Sequence, residues 1–569
     1  MNTKRLTLHL TVFTIVLCSI CRQCSAIYAV DIGSLPPPER FSASALVGLL
    51  NRHAGEPFVL GKINPNDALW LSSAQEDGII PSNATVQNVA SLKDLGTLAL
   101  GQGALEAVVL YSATELWSLP NVATLAGIYK AVPLLSAPAV SMHTTSGLAA
   151  VLGDLPVRFD ARGAWSNAEE ATEWALSNLH RLCNSTASLV VVQEPPLLAA
   201  GFLVDLVAAQ QLFAFHLPEM CKKRSKSSSL FNTIADYARL HGSILSVLGY
   251  FPKQEVIALC SKHHTEVSLV ADYCSSLSFW STLPPLNTPL QQPAQLPTEP
   301  YDHRKTYIAI ISSDGDNMQM MFNIRRQAME NRRQLCAQPG ATCPPLTWTI
   351  SNRLADFAPF LLQWYFRQAR KTGRDSFLLG PSGYGFLHPS LIRPTDPLLP
   401  AFVNRTEAAA DLLATSAYVH WDDYDNGCWG NATATASDGE TGNCRNELDM
   451  ERYLRRLAGT NIKSVFSPIL PFVPRHVGEL ATFRELYRWF GTESGASLAR
   501  RLGKYRRGTI GYVYMIPGVS MDSMEELGRE LPEHVQLVGH RELAEIGRGL
   551  VQDADAKSDL ATDSQVAVE

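Results

Sequence analysis

The sequence predicts a two-domain α/β protein, an N-terminal α/β domain followed by a C-terminal (β/α) barrel-like domain. Three observations lead there. Short apolar runs alternate with helical patterns in both halves of the chain. A stretch rich in proline and glutamine, residues 283–300, separates the halves and has no apolar periodicity. After it, strand-like runs recur at regular intervals with helices between them, the rhythm of a parallel sheet.

The chain has 569 residues. Lys4 and Arg5 precede an apolar stretch, residues 6–20, and Cys24, Ser25 and Ala26 offer small residues for cleavage. Residues 1–26 therefore read as a secretory signal peptide, too short and wrongly flanked for a spanning helix. No later segment is apolar enough over ~20 residues to cross a membrane. Without Lys4, Arg5 and Arg22 the formal net charge of −6 becomes −9. A mildly acidic exterior excludes nucleic acid as a partner, since its binders carry a basic footprint. The basic run at 222–226 lies among serines and reads as a solvated loop.

Three of the eleven cysteines fall in the signal, and the eight that remain suit an oxidising compartment. They are near neighbours in pairs: Cys183 and Cys221, Cys260 and Cys274, Cys336 and Cys343, Cys428 and Cys444. Sequence does not fix connectivity, and local pairing is the simplest expectation. Asn83, Asn184, Asn404 and Asn431 each begin an Asn-x-Thr sequon, so the chain is expected to be an extracellular glycoprotein.

The N-terminal domain, residues 27–282, shows buried strands at 107–111 and 189–192 and helical apolar spacing at 203–215. It has neither a dinucleotide glycine fingerprint nor a phosphate loop, so no cofactor is expected. His263 and His264 are adjacent and point to different faces of a helix, so joint metal ligation is not expected. Residues 283–300 read as a linker. The C-terminal domain, residues 301–550, shows strands at 306–311, 346–350, 376–379, 417–421, 464–466, 510–515 and 536–538. Residues 551–569 are polar and acidic and read as a disordered tail.

In such a fold the functional groups sit just after each strand. Asp314, Gly315, Asp316 and Asn317 follow the first strand of the barrel, and Ser351 and Asn352 follow the second. A loop with three glycines follows the third: Gly380-Pro381-Ser382-Gly383-Tyr384-Gly385-Phe386-Leu387-His388-Pro389. Its glycines let the backbone take positive φ and approach a ligand closely, with Gly385 expected at such a φ. Asp422 and Asp423 follow the fourth strand. This ring is acidic and amidic, with aromatic faces at Trp348, Tyr384, Phe386 and Trp421.

That composition suits glycoside hydrolysis. One carboxyl protonates the leaving oxygen, and a second acts as nucleophile or activates water. Asp314 and Asp316 are the candidates on one side, with Asp422 or Asp423 facing them. Asn317, Trp348, Asn352, Ser382, Gly383, Tyr384, Gly385, Phe386, His388 and Trp421 are candidates for holding the sugar. The bland alternative is that Asp-Gly-Asp-Asn is a turn and helix cap. Hard oxygen ligands also suit a divalent cation, but calcium-loop spacing is absent and no metal is expected. Ser382 lacks the Gly-x-Ser-x-Gly of a nucleophile elbow.

Residues 383–389 resemble the signature of the GxGYxYP family of putative glycoside hydrolases, with Gly383, Gly385 and Pro389 in register. Phe386 and His388 stand where the motif has its tyrosines. Residues 46–52, Ser313 to Asn317, residues 346–351 before Asp356, and residues 531–542 are also similar to the family. The resemblance implies a glycoside hydrolase, and with the signal peptide the expectation is a secreted enzyme that cleaves glycosidic bonds with paired carboxylates and no cofactor. The alternative is a non-catalytic carbohydrate-binding or cell-surface protein on the same scaffold.

Overall fold

The structure, a computed structural model, describes residues 26–550 except 57, 137–146, 154, 185–188, 250–255, 258–259, 262–266, 285–288, 295–297, 394, 422–445 and 468–474. Among the described residues the N-terminal domain holds three small sheets. β1 (Ile27–Asp31) lies between β2 (Val59–Lys62) and β3 (Val86–Val89). β4 (Ala107–Tyr111) lies between β5 (Ala131–Leu135) and β6 (Val157–Asp160). The third sheet contains β7 (Leu189–Val192), β8 (Phe213–Phe215), β9 (Ser246–Gly249) and β10 (Val267–Val270), in the order β10-β9-β7-β8. Each pairing in the three sheets is parallel.

The helix Pro37–Ala54 is the hub of this domain. It crosses the helix Val204–Gln210 so closely that a Cβ on Gly48 would sit 2.1 Å from the Asp205 carbonyl oxygen. Asn51 is buried in it and uses its whole amide. It accepts from the Val59 N–H at 2.7 Å and donates to the Val59 carbonyl and the Ser278 hydroxyl, each at 2.9 Å. A buried amide is tolerated only when satisfied in this way. The similarity at 46–52 therefore lies on residues that pack the domain. The helical pattern expected over 203–215 is in fact the helix Val204–Gln210 followed by β8. Gln211, at φ 53°, turns the chain between them.

The C-terminal domain is a closed parallel barrel. β11 (Thr306–Ser312), β12 (Leu346–Ile350), β13 (Asp375–Leu379), β14 (Ala417–Val419), β15 (Ser464–Ser467), β17 (Leu480–Trp489) and β18 (Ile510–Met515) form the ring, which closes by β11 pairing with β12. β19 (Val535–Val538) pairs with the first half of β11, and β16 (Arg475–Val477) lies antiparallel on β17. Side chains alternate across the wall. Tyr307, Ala309, Ile311, Leu378, Phe466, Phe483 and Tyr512 belong to one core cluster. The intervening Ile308, Ile310, Trp348, Phe377 and Val513 pack with the helices in another. Phe466 meets Phe483 at 5.2 Å and Tyr512 at 5.4 Å between ring centroids, so aromatic rings fill the lumen.

β17 was not foreseen from the sequence, and its lumen-facing charge is the physical reason. Its run Arg484-Glu485-Leu486-Tyr487-Arg488 carries charge at a strand's interior and breaks the apolar alternation.

The domains are packed together. Trp70 donates its indole N–H to the Phe322 carbonyl at 2.8 Å, and Arg353 donates to the Ser246 hydroxyl at 3.1 Å. Residues of the proline-rich stretch lie along the barrel, where Gln292 bonds both the N–H and the carbonyl of Phe377 at 2.9 and 3.0 Å.

Two disulfides join the described cysteines, Cys221–Cys260 and Cys336–Cys343. The second matches the local expectation. The expected Cys183–Cys221 and Cys260–Cys274 pairs are corrected: Cys183 and Cys274 are free thiols. The fold brings Cys221 to Cys260, and sequence proximity could not have shown it. Cys428 and Cys444 lie outside the described residues.

Candidate functional site

β11 delivers the acidic loop to the barrel mouth. Asp314 takes φ 60°, a left-handed conformation that short polar side chains tolerate best among non-glycine residues. A Cβ on Gly315 would sit 2.2 Å from the Thr349 carbonyl carbon, and one on Gly380 would sit 2.7 Å from the Asp316 nitrogen. The loop thus lies flat across the ends of β12 and β13, and both glycines are required for that approach. Arg325, buried on the helix Ile324–Cys336, ties it down by donating to the carbonyls of Ser313 and Thr349. Its guanidinium stacks over Trp348 at 5.3 Å.

Helix capping in this loop falls to Asn317. Its side chain accepts from the Met320 N–H at 3.3 Å and starts the short helix Met318–Phe322. Neither carboxylate does that work. Asp314 accepts instead from the Ser313 hydroxyl. Burial, reinforced by the neighbouring Asp314 charge, pushes the Asp316 carboxyl up to about 8; its own N–H and Arg325 oppose the shift. A carboxyl in that state is protonated at neutral pH and able to give its proton away.

The opposite wall comes from β14, β17 and β18. Glu485 forms a two-pronged ion pair with Arg488, at 3.0 and 2.8 Å. The Arg488 guanidinium lies 5.2 Å from the Trp421 ring centroid and 5.9 Å from that of Tyr514, and the two rings are 5.6 Å apart. Burial raises the Glu485 carboxyl, and the charge of the neighbouring Arg484 opposes the shift. Burial also raises the Tyr514 phenol, and the charges of Asp314, Asp316 and Glu485 add to it. Arg488 feels the Asp314 charge as well. These mutual effects place two aspartates, a glutamate, an arginine and two aromatic rings at one mouth. Sequence reasoning missed Glu485, Arg488, Tyr514 and Arg325. For Glu485 and Arg488 the available signal was the cluster of three charges, Arg484, Glu485 and Arg488, inside the largely apolar run 480–489.

The glycine-rich loop after β13 is divided between two environments. Ser382, fully buried, bonds both the Trp421 N–H and its carbonyl, at 3.1 and 3.0 Å, and so holds that ring at the mouth. Tyr384 is half-buried; Arg405 donates to its hydroxyl at 2.7 Å and Arg353 lies 4.8 Å over its ring. Phe386 and His388 are buried, and the His388 N–H donates to Ser261 of the N-terminal domain at 3.0 Å. Gly383 is the residue at positive φ, 96°. The expectation for Gly385 is corrected: it is absent from the left-handed region, and its role is contact, since a Cβ would meet Val267 at 2.9 Å.

Asn352 is buried just beyond β12. Trp348 points away from the lumen, donates to Asp375 at 2.9 Å and is almost wholly buried. Asp422, Asp423 and Asn431 lie outside the described residues. Among the described residues no cluster of three or more His, Cys, Asp or Glu side chains is arranged to hold a metal ion. Among them, too, no helix is long and apolar enough to cross a membrane.

Residues 304–546, which span the barrel, match the family model of the GxGYxYP putative glycoside hydrolase C-terminal domain. The crystal structure of a putative hydrolase from Bacteroides thetaiotaomicron is similar in fold. Its TM-score is 0.69 at 16% sequence identity, over 92% of this chain and 95% of that one. A search of curated proteins found no match.

Proposed function

We propose that this chain is a secreted glycoside hydrolase whose barrel cleaves glycosidic bonds with paired carboxylates. The observation that supports the reading is the loop Asp314–Asp316 after β11, where burial and the Asp314 charge raise the Asp316 carboxyl to about 8. The family match over the barrel supports the substrate class.

In this reading Asp316 protonates the leaving oxygen. A charged carboxylate attacks the anomeric carbon or takes a proton from the attacking water. Asp314 is adjacent, and Asp422 or Asp423, next in the chain after Trp421, are the sequence candidates for the facing group. Glu485 is a further carboxyl at the mouth, held by Arg488. Trp421 and Tyr384 offer faces for the sugar's C–H surface, and Asn317 and Asn352 offer amides for its hydroxyls. The signal at 1–26, the two disulfides and the sequons at Asn83, Asn184 and Asn404, whose asparagines are exposed, support an extracellular glycoprotein. Asn431 completes the set of candidate acceptors.

The test is a panel of aryl glycosides assayed with the purified protein and its Asp314→Asn and Asp316→Asn forms. Turnover by the parent and its loss in both variants, with unchanged circular dichroism, is the expected result. Full activity in Asp314→Asn removes this reading. Glycan binding without turnover in the parent establishes the non-catalytic alternative.

A further inference from the structure

The acid loop has a second face. Arg325, which holds the loop through Ser313 and Thr349, also forms the floor of a separate groove on the flank of the barrel. The groove has a volume of about 450 Å³ and runs between the helix Ile324–Cys336 and the loop that follows β18. That volume is in the range of small-molecule sites. One end lies at Ser312 and Met515, the last residues of β11 and β18, so it opens on the same end of the barrel as the acids.

Its chemistry is uniform. Gln327, Asn331, Gln334 and Gln338 line it at helical spacing, and all four are exposed. Beneath them Leu335 and Val519 supply an apolar floor. The charges in the lining are Arg325, already spent on protein carbonyls, and Asp522 on the rim. From Ile324 to Leu335 the helix rises about 16 Å, which is room for several sugar rings in a row.

We propose that this groove is an accessory subsite for a neutral oligosaccharide chain, so that the protein's substrate is a glycan polymer and not a small glycoside. The choice of occupant rests on the glycosidase reading, but the groove's chemistry supports it independently. A pyranose has apolar C–H faces and a rim of hydroxyls that donate and accept. Side-chain amides match such a rim because they also do both. The near-absence of available charge disfavours ionic ligands. An extended polypeptide is the competing occupant, and it gains less here. The strands lining the groove, β11, β12 and β18, are paired on both edges within the closed barrel, so no edge is free to add a strand.

The experiment is calorimetric titration of maltohexaose, cellohexaose, xylohexaose and chitohexaose into the Asp316→Asn protein. A disordered casein peptide digest serves as the polypeptide probe. At least one hexaose should bind, and the added Asn331→Ala/Gln334→Ala change should weaken it at least tenfold. In the Asp316-containing protein the same double change should leave hydrolysis of an aryl monosaccharide unaltered and raise KM for the polymer. Ile324→Asp, at an exposed position on the groove's rim, should act in the same direction. Binding by none of the hexaoses, binding that the groove variants leave intact, or saturable binding of the peptides instead overturns the proposal. Hexaose binding lost with the groove, in a protein without glycosidase activity, would keep the subsite and remove the enzyme.

Discussion

Glu485 and Arg488 face each other across the irregular stretch of β17, joined at 3.0 Å through Nε and 2.8 Å through Nη2. Both are largely buried. Removing one partner of such a pair leaves an uncompensated charge, which costs about 3–5 kcal/mol, whereas replacing both is often neutral. Arg488→Ala should therefore lower the urea midpoint much more than Glu485→Gln/Arg488→Met. Equal losses in the two proteins would show that the pair does not carry the stability of this wall.

Asp316 sets a pH dependence with a definite sign. If it is the acid, turnover should fall as pH rises through about 8, where burial and Asp314 hold its carboxyl. Asp314→Asn removes the neighbouring charge, so the carboxyl should titrate at a lower pH. The same raised value predicts a native state that binds one more proton than the unfolded chain between the ordinary carboxylate range and about 8. That contribution to stability is present at low pH and is lost as pH rises. A pH dependence of the urea midpoint around pH 8 that is identical in the parent and in Asp314→Asn would assign the titration to another group.

Gly383 and Gly385 of the third barrel loop should fail for different reasons. Gly383 is left-handed, and its Cβ would lie 2.5 Å from the Thr406 methyl. Gly383→Ala should cost about 1–3 kcal/mol through conformation and overpacking together. Gly385→Val should instead press on Val267 and Leu269 and loosen the packing between domains. Limited proteolysis near residue 300 is the readout, and an unchanged pattern would refute it. Ser390→Ala, just beyond this loop, should also be felt, because Ser390 bonds His420 at 3.1 Å.

Thiol mapping tests the corrected connectivity. Of the six described cysteines, native protein should label at Cys183 alone, and slowly, since burial pushes its thiol up to about 12. Cys274 should label only on unfolding, because it is wholly buried. In the chain-entropy account the 39-residue separation of Cys221 and Cys260 corresponds to about 4 kcal/mol, against about 2 kcal/mol for the 7-residue one. Recovery of a Cys183–Cys221 peptide by non-reducing mass spectrometry would restore the local pairing.

These cases show what was legible and why. The acid loop could be read because turn-forming Gly and Asp after an apolar run leave few structural options. The barrel could be read because parallel strands buried on both faces form continuous apolar runs. β17 could not, because the residues that make it interesting, Glu485 and Arg488, are charges pointing into a protein interior. The outward turn of Trp348 was hidden because one-residue register decides which face a side chain takes. Cys221 and Cys260 meet through tertiary folding, which leaves no local trace.

The N-terminal domain holds its own buried acids, and they give the last prediction. Asp67 accepts from the N–H groups of Ile63 and Asn64, both at 2.9 Å, and from Ser275 at 3.1 Å. Asp205 accepts from the Ser278 N–H at 2.8 Å. Each is about 1% exposed, and burial pushes each carboxyl up to about 6 despite those donors. A raised carboxyl binds its proton more tightly in the native state, so its contribution is present below the unfolded value and is lost as pH rises through about 6. Between pH 5 and 7.5 each should remove about 1.4 kcal/mol. Asn at both positions keeps an acceptor for the bonded N–H groups but cannot ionise. The Asp67→Asn/Asp205→Asn protein, compared with its parent in an Asp316→Asn background to silence that group, should lose less stability between the two pH values. The urea midpoints at pH 5 and 7.5 decide it: an equal loss in both proteins would mean that these carboxyls ionise in the folded state without penalty.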